Sequence, residues 1–346
     1  MATKPFPILF ITPTDVGGAI ASSGLLKRLV DEVPQAQFTV VADEQVEPLF
    51  AEVPRLEHLV RAEETEGRVA KFGLWRKLRG RRWGLIVDLR GTGIGQYMNR
   101  ARRGEYKPNG DYLHPVIQAA KVLELEDEPP APYLFTSPET DAWADKYLGQ
   151  GGPVLVIAPE AEWSGRVWPT ERFALVANKL FAADGPLPNG RLLVLANHDE
   201  GEAAELARFS GIRPRVIGRP GELDMMRAYA CLKKARLFLG NDNLFMHLSA
   251  AAGAPTIGLF GPSDEDVARP WGDNARVVRG ARAFASYIAI DPGLNQAINH
   301  MMDLRTEPVF DACLDLLKAT EPGKPLPDPE PAPEAQSDQT AEPSDG

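Results

Sequence analysis

Asp242, Asn243 and His247 stand within six residues of one another in FLGNDNLFMHLSAAAGAPTIGLFGP (238–262). An apolar strand run ends at Gly240, so Asp242 and Asn243 fall where the next helix begins and His247 lies one turn in. A helix N-terminus that follows a strand offers free backbone N–H groups and a positive dipole end, suited to a diphosphate. His247 near that end can hydrogen-bond a phosphate or a ribose. A plainer reading makes Asp242 or Asn243 a simple N-cap and His247 a packed histidine. Arg166, in APEAEWSGRVWPTERF (158–173), supplies a cation framed by Trp163 and Trp168, and arginine is a bidentate phosphate ligand. Trp168, next to Pro169, reads as packing. Asp199 and Glu200 in ANHDEGEAAEL stand at a third strand end, where a carboxylate accepts from ribose hydroxyls; as helix-start acids they equally favour the dipole. In PTDVGGAIASSGLL (13–26) a single acid, Asp15, precedes Gly17 and Gly18. It is either a catalytic acid or base, or a turn residue.

These side chains need elements to hold them. Apolar runs at 8–11, 37–43, 83–89, 153–158, 191–196, 214–219, 236–240 and 255–260 read as buried strands. Between several of them, amphipathic segments such as 20–33, 114–125, 170–181 and 223–234 read as helices, with Thr170 a candidate N-cap. Strands alternating with helices imply parallel sheets covered on both faces. The proline-rich passage DEPPAPYLFTSPE divides two such halves. The expectation is an α/β protein of two doubly wound Rossmann-like domains, residues 1–140 and 141–318, facing a cleft, followed by a tail over 319–346. In such sheets ligands bind beyond the carboxyl ends of the strands, which singles out loops 12–19, 90–96, 158–166, 196–202, 240–247 and 260–272. A cation, a carboxylate and a helix N-terminus on successive strand ends of one domain make a nucleotide-diphosphate pocket. With no Walker A motif and no G-x-G-x-x-G, neither a P-loop NTPase nor a simple dehydrogenase is supported.

The net charge of −10 conceals an asymmetry. The tail carries Glu321, Asp328, Glu330, Glu334, Asp338, Glu342 and Asp345 against Lys324, with seven prolines and no aromatic residue; it is expected to be disordered. Residues 68–107 hold twelve Lys and Arg against Asp88 and Glu105. That stretch is either a solvated face or a surface for an anionic partner: a phosphorylated glycolipid, an anionic membrane or nucleic acid. Aromatic residues do not interleave with the charges as in single-strand binders, so nucleic acid fits worst. The two distant cysteines, Cys231 and Cys313, form no framework or metal motif. With no apolar run of membrane length, a cytoplasmic protein is expected.

TDVGGAIASSGLLKRLVDEVP, EWSGRVWPTERF, LANHDEGEAAE and GNDNLFMHLSAAAGAPTIGLFGPSD, in this order, resemble the family 9 glycosyltransferases, the heptosyltransferases that move heptose from ADP-heptose to the lipopolysaccharide inner core. The last stretch is the most specific, since the family reads G-N-D-[ST]-G-x-x-H-L-A-A-A and then P-T-[ILV]-x-L-F-G-P. The likeness runs from about Ile8 to Leu317. It implies a GT-B enzyme that is inverting, uses no metal and no cofactor beyond its nucleotide-sugar co-substrate, and binds the donor in the C-terminal half. Donor contacts then fall on Arg166, Glu200, Asp242, Asn243, Leu244 and His247. The anionic glycolipid acceptor would lie against the N-terminal half, met by Arg90, Arg100, Arg102 and Arg103, with peripheral contact at the inner membrane and no role for nucleic acid.

The match is uneven where the chemistry sits. The family's base, an Asp after the first-turn Gly, aligns with Gly18, which leaves Asp15 three residues upstream as the substitute base. The family's phosphate Lys falls on Arg166. Its small polar phosphate donors are replaced around Ala161 and Glu162, and its [ST]-G reads Asn243-Leu244. Asp242, His247 and Glu200 match. The resemblance therefore implies either an active transferase or a catalytically degenerate member that binds nucleotide sugar or glycolipid without turning it over.

Overall fold

The short apolar runs become the central strands of two parallel sheets. The computed structural model describes residues 4–62, 68–108, 110–209, 211–294 and 298–321. In chain order the first half comprises β1 (Phe6–Ile11), α1 (Val16–Glu32), β2 (Ala36–Ala42), β3 (Leu56–Arg61), α2 (Arg68–Leu78), β4 (Trp83–Asp88), β5 (Arg100–Glu105) and α3 (Pro115–Ala120). There follow α4 (Pro138–Leu148), β6 (Val154–Ala158), α5 (Thr170–Leu180), β7 (Arg191–Val194), α6 (Gly201–Arg208), β8 (Val216–Ile217), α7 (Met225–Leu232), β9 (Leu237–Asn241) and α8 (Leu244–Ala251). The chain continues through β10 (Thr256–Phe260), α9 (Glu265–Ala268), β11 (Ala275–Arg279), α10 (Phe284–Ile290) and α11 (Thr306–Ala319).

The first sheet has the order β3-β2-β1-β4-β5 and the second β11-β10-β9-β6-β7-β8, and every pairing in both is parallel. Strand order reverses between β1 and β4 in one sheet and between β6 and β9 in the other. At such switch points adjacent crossovers leave to opposite faces and open a crevice beyond the strand ends. The expected two doubly wound, Rossmann-like layers of the GT-B type are present. No helix among the described residues is long and apolar enough to cross a membrane.

Local chemistry moves several boundaries. The first helix begins at Val16, not Ile20, because Asp15 caps it: its Oδ1 accepts from the Gly18 N–H at 2.7 Å. Gly17 and Gly18 therefore lie inside the first helical turn rather than in a turn before it. Thr170 is the first residue of α5 and not its cap, since Pro169 precedes it in extended geometry with no side-chain bond. The segment VEPLFAEV (46–53) forms only a single 3-10 turn, Glu47–Phe50. The last helix runs to Ala319, and residues 322–346 of the expected tail lie outside the described residues. One core cluster spans both halves, joining Ile20, Leu26 and Leu29 of α1 to Tyr229, Met246 and Leu248 of α7 and α8.

Candidate functional site

At the second switch point, sequence polarity is spent on holding two loops together. Asn241, fully buried, accepts from the Trp168 N–H at 3.2 Å and donates to the Pro159 carbonyl at 2.5 Å. Asn243 caps α8 by accepting from the Met246 N–H at 3.1 Å, and its amide donates to the Glu160 carbonyl at 2.7 Å. The GNDN run thus clamps the loop after β6 onto the end of β9 and leaves Asp242 between the two clamps. Arg166 reaches it from the clamped loop, Nη1 to Oδ2 3.4 Å, and His247 from the first turn of α8, Nε2 to Oδ1 3.9 Å. The buried Arg166 Nε has no hydrogen-bond partner among the described residues, so this guanidinium retains donor capacity. Burial lowers the pKa of His247 against the opposing pull of Asp242; its imidazole is neutral at pH 7. The site thus presents a cation, a neutral imidazole and a helix N-terminus around one carboxylate.

Leu244 opens α8 and packs half-buried against the core shared by both halves. Glu200 stands, exposed, in the N-cap position of α6 and makes no cap bond. It lines a shallow groove of about 580 Å³ with Asp199, Gly201, Arg208 and Phe209. Glu160, absent from the sequence-based candidates, lies between the two groups: its Oε2 accepts from the Asn197 N–H at 3.0 Å. Its pKa is raised, chiefly by burial, with Glu202 and Glu200 adding to the rise. Sequence offered one signal, an acid two residues past the β6 strand end.

In the N-terminal half, Asp15 is exposed and engaged as the α1 cap. Arg90 sits at the carboxyl end of β4, its guanidinium on Asp43 (Nη1 to Oδ1 and Nη2 to Oδ2, both 3.1 Å) and on the Thr12 carbonyl at 3.2 Å. It ties the ends of β1, β2 and β4 together beside Asp15. Gly91 and Gly93, at φ 65° and 74°, fold the next loop back so that buried Asp88 accepts from Thr92 Oγ1 at 2.6 Å and the Gly93 N–H at 3.1 Å; positive φ suits glycine. Arg100 donates to the Gln96 and Met98 carbonyls. Arg102 and Arg103 lie on edge strand β5 and line a groove of about 590 Å³ with Phe6, Arg28 and Glu32. That groove lies toward the amino ends of the strands, so the structure does not bring these two arginines to Arg90.

The halves meet beside His247. The His114 Nδ1 accepts from the Val116 N–H at 3.2 Å, which leaves Nε2 to donate to the Arg269 carbonyl at 2.9 Å. Its ring lies 4.7 Å from that of Trp271, over which Arg269 also stacks. Burial lowers the His114 pKa to about 4, only partly offset by the Arg269 carbonyl, with Arg269 and His247 adding to the fall. Tyr112 donates to Asp264 Oδ2 at 2.7 Å. These contacts had no local signal: they join residues more than 150 positions apart.

Residues 113–286, half of the 346-residue chain, match glycosyltransferase family 9 (heptosyltransferase). The chain is 24% identical over 312 residues to lipopolysaccharide heptosyltransferase 2 of Salmonella typhimurium, covering 79% of this chain and 87% of that one. Among solved structures, it is similar to a family 9 glycosyl transferase from Veillonella parvula (TM-score 0.71, 17% identity, 92% of this chain and 99% of that one). It is also similar to E. coli ADP-heptose lps heptosyltransferase II (TM-score 0.68, 20% identity, 90% and 99%).

Proposed function

This chain belongs to glycosyltransferase family 9, and we propose that it transfers heptose from ADP-heptose to the core of a lipopolysaccharide-type glycolipid at the cytoplasmic side. The observation that carries this reading is the Arg166–Asp242–His247 group at the second sheet's switch point, where an anionic nucleotide is expected to bind. The names of the relatives supply the sugar and the acceptor class.

In this reading the donor diphosphate lies over the α8 N-terminus and Arg166, and the ribose falls toward Glu200. An acceptor hydroxyl from the N-terminal side attacks the anomeric carbon opposite the phosphate. The new C–O bond forms as the bond to the diphosphate oxygen breaks, inverting that carbon. The hydroxyl proton passes to a base, and the nucleoside diphosphate leaves with its charge met by Arg166 and the helix end rather than by a metal. Asp15 is the carboxylate nearest in sequence to the family's base position, and it must release the Gly18 N–H to reach a substrate. A second reading, a member that binds donor without turnover, is favoured by Gly18 itself. A Cβ there would lie 2.8 Å from Asp15 Oδ2, so the fold holds a cap where the family holds a base.

Turnover on truncated lipopolysaccharide core separates them. Transfer by wild type that falls about 10²–10⁴-fold in Asp15→Asn assigns Asp15 as base. No transfer by wild type, with transfer gained in the double variant Asp15→Ser, Gly18→Asp, assigns the degenerate reading. Transfer unaffected by Asp15→Asn contradicts the degenerate reading and removes Asp15 as the base, leaving the transferase reading with another base.

A further inference from the structure

The basic stretch carries a feature that the transfer reaction does not use. Helix α2 packs inward through Leu74 and Leu78 onto a cluster with Trp83, Ile94 and Met98. Its other side faces solvent and is not polar throughout: Phe72 is 60% exposed. The Trp75 ring lies 5.5 Å from Phe72, and its Nε1 donates to the Tyr97 carbonyl at 3.0 Å. That bond fixes the 3-10 turn Ile94–Tyr97 beside the helix, and Tyr97 is itself 76% exposed. Two of the most exposed aromatic side chains among the described residues therefore share one face with Trp75 between them.

Cations surround them. Lys71, Arg76 and Arg79 are exposed, and Arg79 stacks on Trp75 with its guanidinium carbon 4.7 Å from the ring centroid. The helix contains no acid. Glu57, on neighbouring β3, is already held by Arg81 at 2.6 Å. Glu63, Glu64 and Glu66 precede the helix in sequence, yet residues 63–82 still carry seven Lys and Arg against those three.

We propose that the face built from α2 and the Ile94–Tyr97 turn docks on an anionic lipid bilayer. Amphipathic aromatic rings settle at the headgroup level, where an apolar body and a polar tip are both satisfied. Lys and Arg beside them gain from the negative surface potential, and a long cation keeps its charged end among the headgroups while its stem lies along apolar surface. Neither feature is needed by the fold, since the packed side of α2 is supplied by Leu74 and Leu78. The turn follows the carboxyl end of β4, the end at which Asp15 and Arg90 stand, so a bilayer on this face brings lipid-borne molecules to the cleft rather than behind it. This goes beyond the proposed transfer, because docking requires no donor, acceptor or base.

The test is co-sedimentation of the full chain with vesicles of phosphatidylcholine alone and with about a third of phosphatidylglycerol, at low and high salt. Circular dichroism is the control for folding, and ADP affinity is measured in parallel. The expected result is partition onto the anionic vesicles only, weakened by salt. Arg76→Glu with Arg79→Glu should weaken it by at least about fivefold per cation. Phe72→Ser with Tyr97→Ser should weaken it about tenfold, with ADP affinity unchanged in both. Equal partition onto neutral vesicles, no partition, or partition unaffected by either pair overturns the proposal. So does partition that appears only when residues 322–346 are removed, which makes the acidic tail the occupant. Self-association lost in the aromatic variant makes it a second copy and likewise overturns the proposal. Vesicle binding without ADP binding would leave the docking surface standing and sink the donor reading alone.

Discussion

At the scale of single residues, charge placement decides what the site can hold. Among the described residues Arg166 keeps a buried Nε without a hydrogen-bond partner and only a 3.4 Å contact to Asp242; in the proposed reading the donor diphosphate completes this arrangement. Arg166→Ala should weaken ADP binding about 10–100-fold, the range of a charge-assisted hydrogen bond or two. Arg166→Lys should recover part of the loss, and calorimetric titration of both variants checks this. Arg166, Asp242, Asn243 and His247 stood out in the sequence as polar residues of the loops that follow two apolar strand runs and of the helix start after the second. The double duty of Asn243, as cap and as clamp to Glu160, was not legible, since its second partner lies more than 80 residues away. Asp15 was legible as an acid at a turn. That it begins the helix, with both glycines inside it, followed from a cap bond that the glycines obscured. Glycine-rich sequence weakens a helical reading, and a capping carboxylate overrides it.

Elements carry the next layer. Asn241 joins the end of β9 to the loop after β6 through two hydrogen bonds with no solvent access. Asn241→Ala leaves the Trp168 N–H and the Pro159 carbonyl buried and unpaired, so it should cost about 2–4 kcal/mol of stability, read by urea denaturation. It should also lower donor affinity, because Arg166 rides on that loop. The central strands were plain in the sequence as apolar runs, whereas β3 and β5 were not. In β5, RARRGE, only Gly104 is buried, so an edge strand paired to β4 alone reads as a run of charge. The same run suggested one acceptor surface. Position within the sheet instead separates Arg102 and Arg103, on the edge strand in the groove beside α1, from Arg90 past the carboxyl end of β4.

Across the whole molecule, the two halves are joined by specific contacts as well as by the shared apolar core. Tyr229 of α7 accepts from the Leu134 N–H at 3.1 Å and donates to the Ala251 carbonyl at 3.2 Å, fully buried. Tyr229→Phe should cost about 1–3 kcal/mol, measured by thermal unfolding. His114 gives the junction a pH dependence. Its folded pKa of about 4 lies below the ordinary histidine value of 6.5, so the unfolded chain binds the proton more readily. The stability held by neutral His114 is full above pH 6.5 and is lost as pH falls toward 4, by about 3 kcal/mol for a group only 5% exposed. Protonation also ends the bond from Val116. In His114→Gln this component should vanish, so the difference from wild type in unfolding free energy should shrink between pH 6.5 and 4. Two doubly wound halves could be read from alternating strands and helices, but their mutual clasp could not, because His114 and Tyr112 sit in a stretch with no periodic pattern. The account as a whole rests on an ADP-sugar site in the C-terminal half, and calorimetric titration of the full chain with ADP-heptose tests it most directly. It predicts saturable one-to-one binding that ADP competes away; no heat with either ligand, in a chain shown to be folded, would contradict it.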